Sequence, residues 1–194
     1  ESENQKLKVW NLEAQKQVLL QQLHPHFLFN ALSTLKSLIK ENPEMAEDYS
    51  IKLSEFLRYS IQAHSNELVS LEDELRFTND FIELQKVRFG NSLHCDIDIP
   101  SAFFSFRLPV FALQTLVENA IKHNSFTEKN PLYIGIEANQ NEIIVSNNRI
   151  PKSLIQKSGT GLHNLNERYN LLSGQMIKIE EDSGNFKVTI KLLR

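Results

Sequence analysis

The stretch from residue 1 to about 41 contains no glycine and a single proline, and it is rich in Gln, Leu, Lys and Glu. Such a run is long helix before it is anything else. Its one interruption is Pro25, whose ring removes a backbone bond and presses on the carbonyl of Gln21, so a kink or restart is expected at His24-Pro25-His26. Asn42-Pro43 then supplies a cap and a first-turn proline, with Glu44, Glu47 and Asp48 suiting the positive end of a second helix. Met45, Tyr49, Leu53, Phe56, Leu57, Ser60 and Ile61 keep helical spacing to about Ala63. Two helices on so short a loop make an antiparallel hairpin. Leu12, Leu19 and Leu23 give its approach an amphipathic face expected to dimerise.

Ser70 with Asp73 is a variant capping box opening a third helix, along which Leu71, Leu75, Phe77, Phe81, Ile82 and Leu84 recur to about Phe89-Gly90. From Leu93 short strands and helices alternate. Strands are expected at 93–99, 132–138, 142–147, 175–181 and 186–192, with helices at 109–123 and 161–172. Asp182-Ser183-Gly184-Asn185 joins the last two strands as a hairpin. The fold class is therefore α+β. The expected organisation is a helical hairpin over 1–68, a connecting helix over 69–92 and a mixed domain over 93–194, with the composition changing at 88–92.

At 194 residues the chain has room for one or two cores, and 21 basic against 24 acidic residues leave a net charge of −3. That balance argues against broad binding to nucleic acid or anionic lipid, which needs a basic surplus. No apolar run approaches the roughly 20 residues of a membrane span, so no membrane contact is expected of this stretch. One cysteine, Cys95, excludes an internal disulfide, and its setting reads as a strand with a packed thiol. Beginning at Glu1, the chain reads as a piece of something longer.

Counting about 100° per residue from His26, the apolar residues Phe27, Leu28, Ala31, Leu35, Leu38 and Ile39 fall on the far side of the helix. His26 shares its own line with Asn30, Ser33 and Ser37, which are small and polar. An imidazole so placed is either a solvated surface group or one kept open to a visiting reactant. Pro25, Phe27 and Phe29 around it are costly choices for an ordinary surface helix and favour a special geometry. His24 lies roughly 200° away, so the pair cannot share a metal on a continuous helix.

On the helix over 109–123, Leu113, Leu116, Val117, Ala120 and Ile121 form the inward stripe, leaving Thr115, Asn119, Lys122 and His123 on a polar face. The oxygen of Asn119 suits Mg²⁺, and Lys122 suits phosphate. Glu118 and Lys122 are also spaced as a simple surface ion pair. Ser158-Gly159-Thr160-Gly161 runs directly into a helix at Leu162, an arrangement that exposes backbone N–H groups to phosphate or serves only as a flexible turn. It has neither the ending of a Walker loop nor the spacing of a Rossmann turn.

Leu23-His24-Pro25-His26-Phe27-Leu28-Phe29-Asn30, together with Leu71-Glu72-Asp73-Glu74-Leu75, Arg88-Phe89, Leu116 to His123 and Gly159 to Arg168, resembles the LytS/YehU-type sensor histidine kinases over about residues 15–192. The resemblance implies a dimerising hairpin carrying the acceptor histidine, followed by an α/β-sandwich ATPase domain of the gyrase, chaperone, kinase and MutL superfamily. It implies that His26 is phosphorylated, that Asn119 coordinates Mg²⁺, that Glu118 orients water or metal, and that Lys122 and His123 line the phosphates of ATP. Gly159 and Gly161 would sit at the end of a short lid over ATP, with Thr160 and Leu162 also binding the nucleotide.

The resemblance further implies passage of the phosphoryl group to an aspartate of a response regulator. The parent would be an inner-membrane sensor with this piece in the cytoplasm. Two positions depart from the pattern. Phe27, not an acid, follows His26, leaving Asn30 to orient the ring. Where the superfamily has Asp-x-Gly-x-Gly, this chain has Ser146-Asn147-Asn148-Arg149-Ile150, so the adenine contact of Asn147 would be a neutral amide oxygen. The competing reading is a non-catalytic dimeric signalling scaffold with a degenerate nucleotide site.

Overall fold

The computed structural model describes residues 25–63, 67–150 and 160–194, without the side chains of residues 25, 26 and 160. Leu12, Leu19, Leu23, His24 and Gly159 lie outside the described residues. The chain divides into two compact units between His64 and Ser65.

The first unit is a helical hairpin of α1 (Pro25–Glu41) and α2 (Pro43–Ala63). Asn42 turns the chain by itself: its N–H donates to Leu38 O at 2.8 Å and its Oδ1 accepts from Met45 N at 3.1 Å. One residue thus ends α1 and caps α2, as the Asn-Pro pair foretold. The hairpin core is narrow. Phe27 and Ala31 are buried with Ala46, Tyr49, Leu53 and Phe56, and the Phe27 and Phe56 rings sit 5.1 Å apart. Ser60 satisfies its hydroxyl by donating to Phe56 O.

The expected apolar arcs are wider than this core. Ile39 is 59% exposed, and Met45 and Ile61 lie in solvent as well. Two helices can cover only one stripe of each other, so the rest of a broad apolar arc stays outside.

The second unit opens with a three-residue strand, β1 (Leu68–Ser70), and α3 (Leu71–Phe89). Ser70 caps α3 as expected, its Oγ accepting from Asp73 N at 3.1 Å and donating to Asp73 Oδ2 at 2.8 Å. Gly90 ends α3 at φ 53°, where a side chain would be strained, and its N–H returns to Lys86 O.

After a 3₁₀ turn come β2 (Leu93–Asp98), β3 (Arg107–Pro109), α4 (Ala112–His123), β4 (Leu132–Asn139), β5 (Glu142–Asn148), α5 (Thr160–Ser173), β6 (Lys178–Glu181) and β7 (Asn185–Lys191). The main sheet runs β2-β4-β5-β7-β6, antiparallel except for the β2–β4 pair. That parallel pair follows from the crossover through α4, since parallel neighbours cannot be joined by a tight turn. Leu132, Ile134 and Ile136 of β4 are buried with Ile143 and Val145 of β5. Tyr133, Gly135 and Glu137 alternate with them on the outer face, so the sheet is covered by helices on one side.

The small β1–β3 ladder, Leu68↔Pro109 to Ser70↔Arg107, was not foreseen, being too short to carry a period. The break between units also differs from the compositional change at 88–92. Helix α3 packs on α4 and β2 and so belongs with the sheet, because tertiary contact, not helical composition, decides which unit an element joins.

Candidate functional site

Helix α4 starts where the chain is tightest. Phe111, its N-cap, sits at φ 62°, ψ 20°, a left-handed conformation costly for an aromatic residue, and it offers no capping side chain. The missing cap comes from α3. Glu74 Oε2 accepts from Phe111 N at 3.0 Å and Oε1 accepts from Leu113 N at 2.9 Å. The carboxyl is wholly buried, and burial pushes it up to about 7 against the opposing pull of those N–H groups and of Arg168. From α5, Arg168 Nη1 donates to Val110 O at 2.8 Å. The turn into α4 is therefore gripped from both flanking helices.

The rest of α4 follows the amphipathic reading, with Leu113, Leu116, Val117 and Ala120 buried. Ile121, expected inside, is only half-buried, as it lies at the flank of the stripe. Thr115, Glu118, Asn119 and His123 are half-buried and Lys122 is exposed, so the polar face borders solvent. The start of α5 meets this face: a Cβ built on Gly161 would stand 3.7 Å from Thr115 Cγ2, one turn before Asn119. Leu162 beside it is half-buried.

At its other end α4 is fastened to the strand exit. Asn124 is buried, donates from Nδ2 to Ala120 O, and accepts from Ile150 N at 2.6 Å, while Ser125 N donates to Ile150 O. Asn147, two residues before Arg149, alternates with Ile143 and Val145 and faces the helices, 6% exposed. Its Nδ2 is spent on Asn148 O at 2.7 Å, which leaves Oδ1 as its acceptor. The predicted residues Asn119, Lys122, His123, Gly161, Leu162 and Asn147 thus all belong to the α4, α5 and β5 neighbourhood of the second unit. His26 and Asn30 lie in the other unit, in the first two turns of α1. Asn30 is half-buried and Ser33 and Ser37 on the same line are exposed.

A hollow of about 450 Å³ opens at the sheet, bordered by His94, Asp96, Tyr133, Gly135, Ser146, Asn147 and Asn148 among others. Most of these are outer-face residues of the sheet, with the Tyr133 and His94 rings stacked at 4.8 Å; of the predicted site residues among the described ones, only Asn147 borders the hollow. Cys95 beside it is partly buried and its thiol is pushed up to about 11, chiefly by burial, which makes it a packing group and not a nucleophile.

Residues 14–93 match the histidine kinase family model. The chain is 33% identical over 179 residues to the sensor protein LytS of Staphylococcus saprophyticus, covering 84% of this chain and 30% of that protein. It is 32% identical over 189 residues to the sensor histidine kinase BtsS of Escherichia coli, covering 93% of this chain and 33% of that protein. The chain belongs to the LytS-type histidine kinases. It spans about a third of the length of these curated relatives. Among solved structures it is similar to the catalytic domain of histidine kinase ThkA, at 18% identity and TM-score 0.45, over 64% of this chain and 93% of that one. Among the described residues no helix of this histidine kinase segment is long and apolar enough to cross a membrane.

Three residues that hold the neighbourhood together escaped the sequence reading: Glu74 as a cap, Arg168 on Val110 O, and Asn124 on Ile150. Only Glu74 left a signal. It falls on the α3 line of Leu71, Thr78 and Phe81, and a carboxylate on a buried stripe asks for a buried partner.

Proposed function

We propose that this chain is the kinase core of a sensor histidine kinase, taking the γ-phosphoryl group of ATP onto His26 and passing it to an aspartate of a response regulator. The observation that carries the reading is the meeting of Gly161 with Thr115 on the helix that bears Asn119 and Lys122. A small residue at the start of α5, beside a polar helix face, suits a phosphate chain. The residues fit the groups the reaction needs. Asn119 offers a neutral oxygen to Mg²⁺, Lys122 a charge to phosphate, and Asn147 Oδ1 an acceptor for the adenine amino group. Bound Mg²⁺ would supply charge neutralisation on the phosphate oxygens. Gly159 and Thr160 would extend the glycine turn, with Leu162 behind it. Glu118 is assigned to orienting water or metal, and His123 to lining the phosphates.

In the transfer a ring nitrogen of His26 attacks the γ-phosphorus, the bond to the β,γ-bridging oxygen breaks, and ADP leaves. Neutral imidazole already carries a nitrogen lone pair near pH 7, so Phe27 in place of an acid is tolerable, and Asn30 one turn on would orient the ring. Phosphoryl transfer depends on positioning and electrostatics, and the nucleotide would be brought to the histidine of the same or a second copy. Homodimerisation is supported by the apolar residues the hairpin leaves uncovered, Phe29, Leu32 and Ile39. Within its parent the segment would lie on the cytoplasmic side of an inner-membrane sensor. In the finer organisation we propose, 69–92 connects the hairpin over 1–68 to the catalytic domain over 93–194 while its helix α3 packs on that domain's α4 and β2.

The test is incubation with Mg²⁺ and γ-labelled ATP beside His26→Gln. Acid-labile, alkali-stable label on the wild type and none on the variant is the expected outcome. Label retained in the variant would remove His26 from the mechanism. Absence of both label and nucleotide binding would favour the scaffold.

A further inference from the structure

Among the described residues, Glu74 is a wholly buried carboxyl that the phosphotransfer scheme does not use. It stands at the start of the helix that carries the proposed nucleotide ligands. Helix α4 has no acid in its first turn and no cap of its own. The negative charge at its positive end is supplied across 37 residues of sequence by Glu74. Arg168 fixes the preceding carbonyl from α5, the helix whose first turn meets Thr115. One junction, Glu74 with Val110, Phe111, Leu113 and Arg168, therefore joins three helices, two of which border the nucleotide neighbourhood.

We propose that Glu74 is a positioning residue for nucleotide binding: by holding the N–H groups of Phe111 and Leu113 while Arg168 holds Val110 O, it sets α4 against the start of α5. This rests on the nucleotide-binding reading above. A well-packed helix moves as a rigid element, so a loosened first turn displaces Asn119 and Lys122 together. The charged form does the holding, since a carboxylate accepts through both oxygens and a protonated carboxyl accepts well through one. Burial makes that form expensive and brings its titration to about 7, so the grip varies across neutral pH.

The titratable groups acting on Glu74 are Arg168 and Tyr169 of α5. Tyr169 is buried, its hydroxyl raised far above the ordinary range chiefly by desolvation. From α4 it receives backbone N–H groups only. Arg107 of β3 and His94, Asp96 and Asp98 of β2 are exposed to solvent.

The experiment is calorimetric binding of Mg-ADP to the wild-type chain and to Glu74→Gln from about pH 6 to about pH 8.5, with circular dichroism confirming the fold. The amide of Gln cannot accept through both ends, so it mimics the protonated state at every pH. The expected ratio of dissociation constants, variant over wild type, is about ten at the alkaline end and falls toward one at the acid end. Taking the ratio removes the titration of the nucleotide, which both proteins share. A ratio near one at every pH overturns the proposal while leaving nucleotide binding intact, and a raised ratio that is flat with pH supports the positioning without the titration. No binding by the wild type at millimolar ligand overturns the nucleotide reading itself, and the proposal falls with it. If Glu74→Gln does not fold, the wild-type amide proton shifts of Phe111 and Leu113 decide: a shared midpoint near pH 7 supports the grip, and no titration overturns it.

Discussion

Glu74 on α3 accepts the backbone N–H of Phe111, so a helix cap that is ordinarily local is made here by a carboxylate 37 residues upstream. The relationship explains how an aromatic residue stays in a left-handed conformation: the same carboxylate also holds Leu113, and Phe77 packs its ring 5.1 Å from that of Phe111.

Replacing Glu74 by Ala strands two buried N–H groups and leaves a void beside Arg168. A loss of about 2–4 kcal/mol in unfolding free energy is expected at neutral pH. Urea denaturation measures it, and a loss within error of zero would mean that the cap carries no net weight.

The same group predicts a pH dependence. Its folded value of about 7 exceeds the ordinary 4.5, so between these the folded chain holds more protons than the unfolded one. Its contribution is complete below about 4.5 and is lost as pH rises through about 7, by something on the order of 3 kcal/mol. Wild-type urea midpoints should fall from about pH 5 to about pH 8 more steeply than those of Glu74→Gln. Parallel curves would count against the titration.

The hairpin leaves Phe29 71% exposed, with Leu32 and Ile39 also in solvent, although all three are large and apolar. If these bury against a second copy, the double change Leu32→Glu with Ile39→Glu should yield monomers without unfolding the chain. Light scattering with circular dichroism distinguishes this from a dimer that persists.

Gly161 is not held at positive φ, and a Cβ there meets Thr115 Cγ2 at an ordinary contact distance of 3.7 Å. Gly161→Ala should therefore keep or raise stability, by about 0.5 kcal/mol. Binding of Mg-ATP should weaken, because phosphates need close approach to the backbone. Unchanged affinity would move the phosphates away from this residue.

Asn147→Asp would place a carboxylate where the proposed adenine contact lies, yet the structure argues against a simple gain. The Asn147 amide donates to Asn148 O, and a carboxylate there would face that carbonyl instead. A stability loss of about 1–3 kcal/mol is expected in thermal or urea melts. An Asp variant as stable as the wild type would show that Asn148 O finds another donor.

Much of the fold was legible because it rests on local chemistry. The Asn42 turn, the Ser70–Asp73 cap, the alternation in β4 and β5 and the polar face of α4 each depend on residues within a few positions of one another. Elements without a period of their own were not legible: β1 and β3 are three residues each and exist because they pair.

What the sequence by itself determined is therefore the order and type of the long elements, the helix bearing Asn119 and Lys122, and the kinship to histidine kinases carried by its motifs. Only the tertiary structure decided which apolar residues a two-helix hairpin can cover, that α3 belongs with the sheet, and that Glu74, Arg168 and Asn124 hold the two ends of α4. The reason is that periodicity and capping act over a turn or two of chain. Which distant group meets an unsatisfied backbone N–H depends on how the finished elements pack.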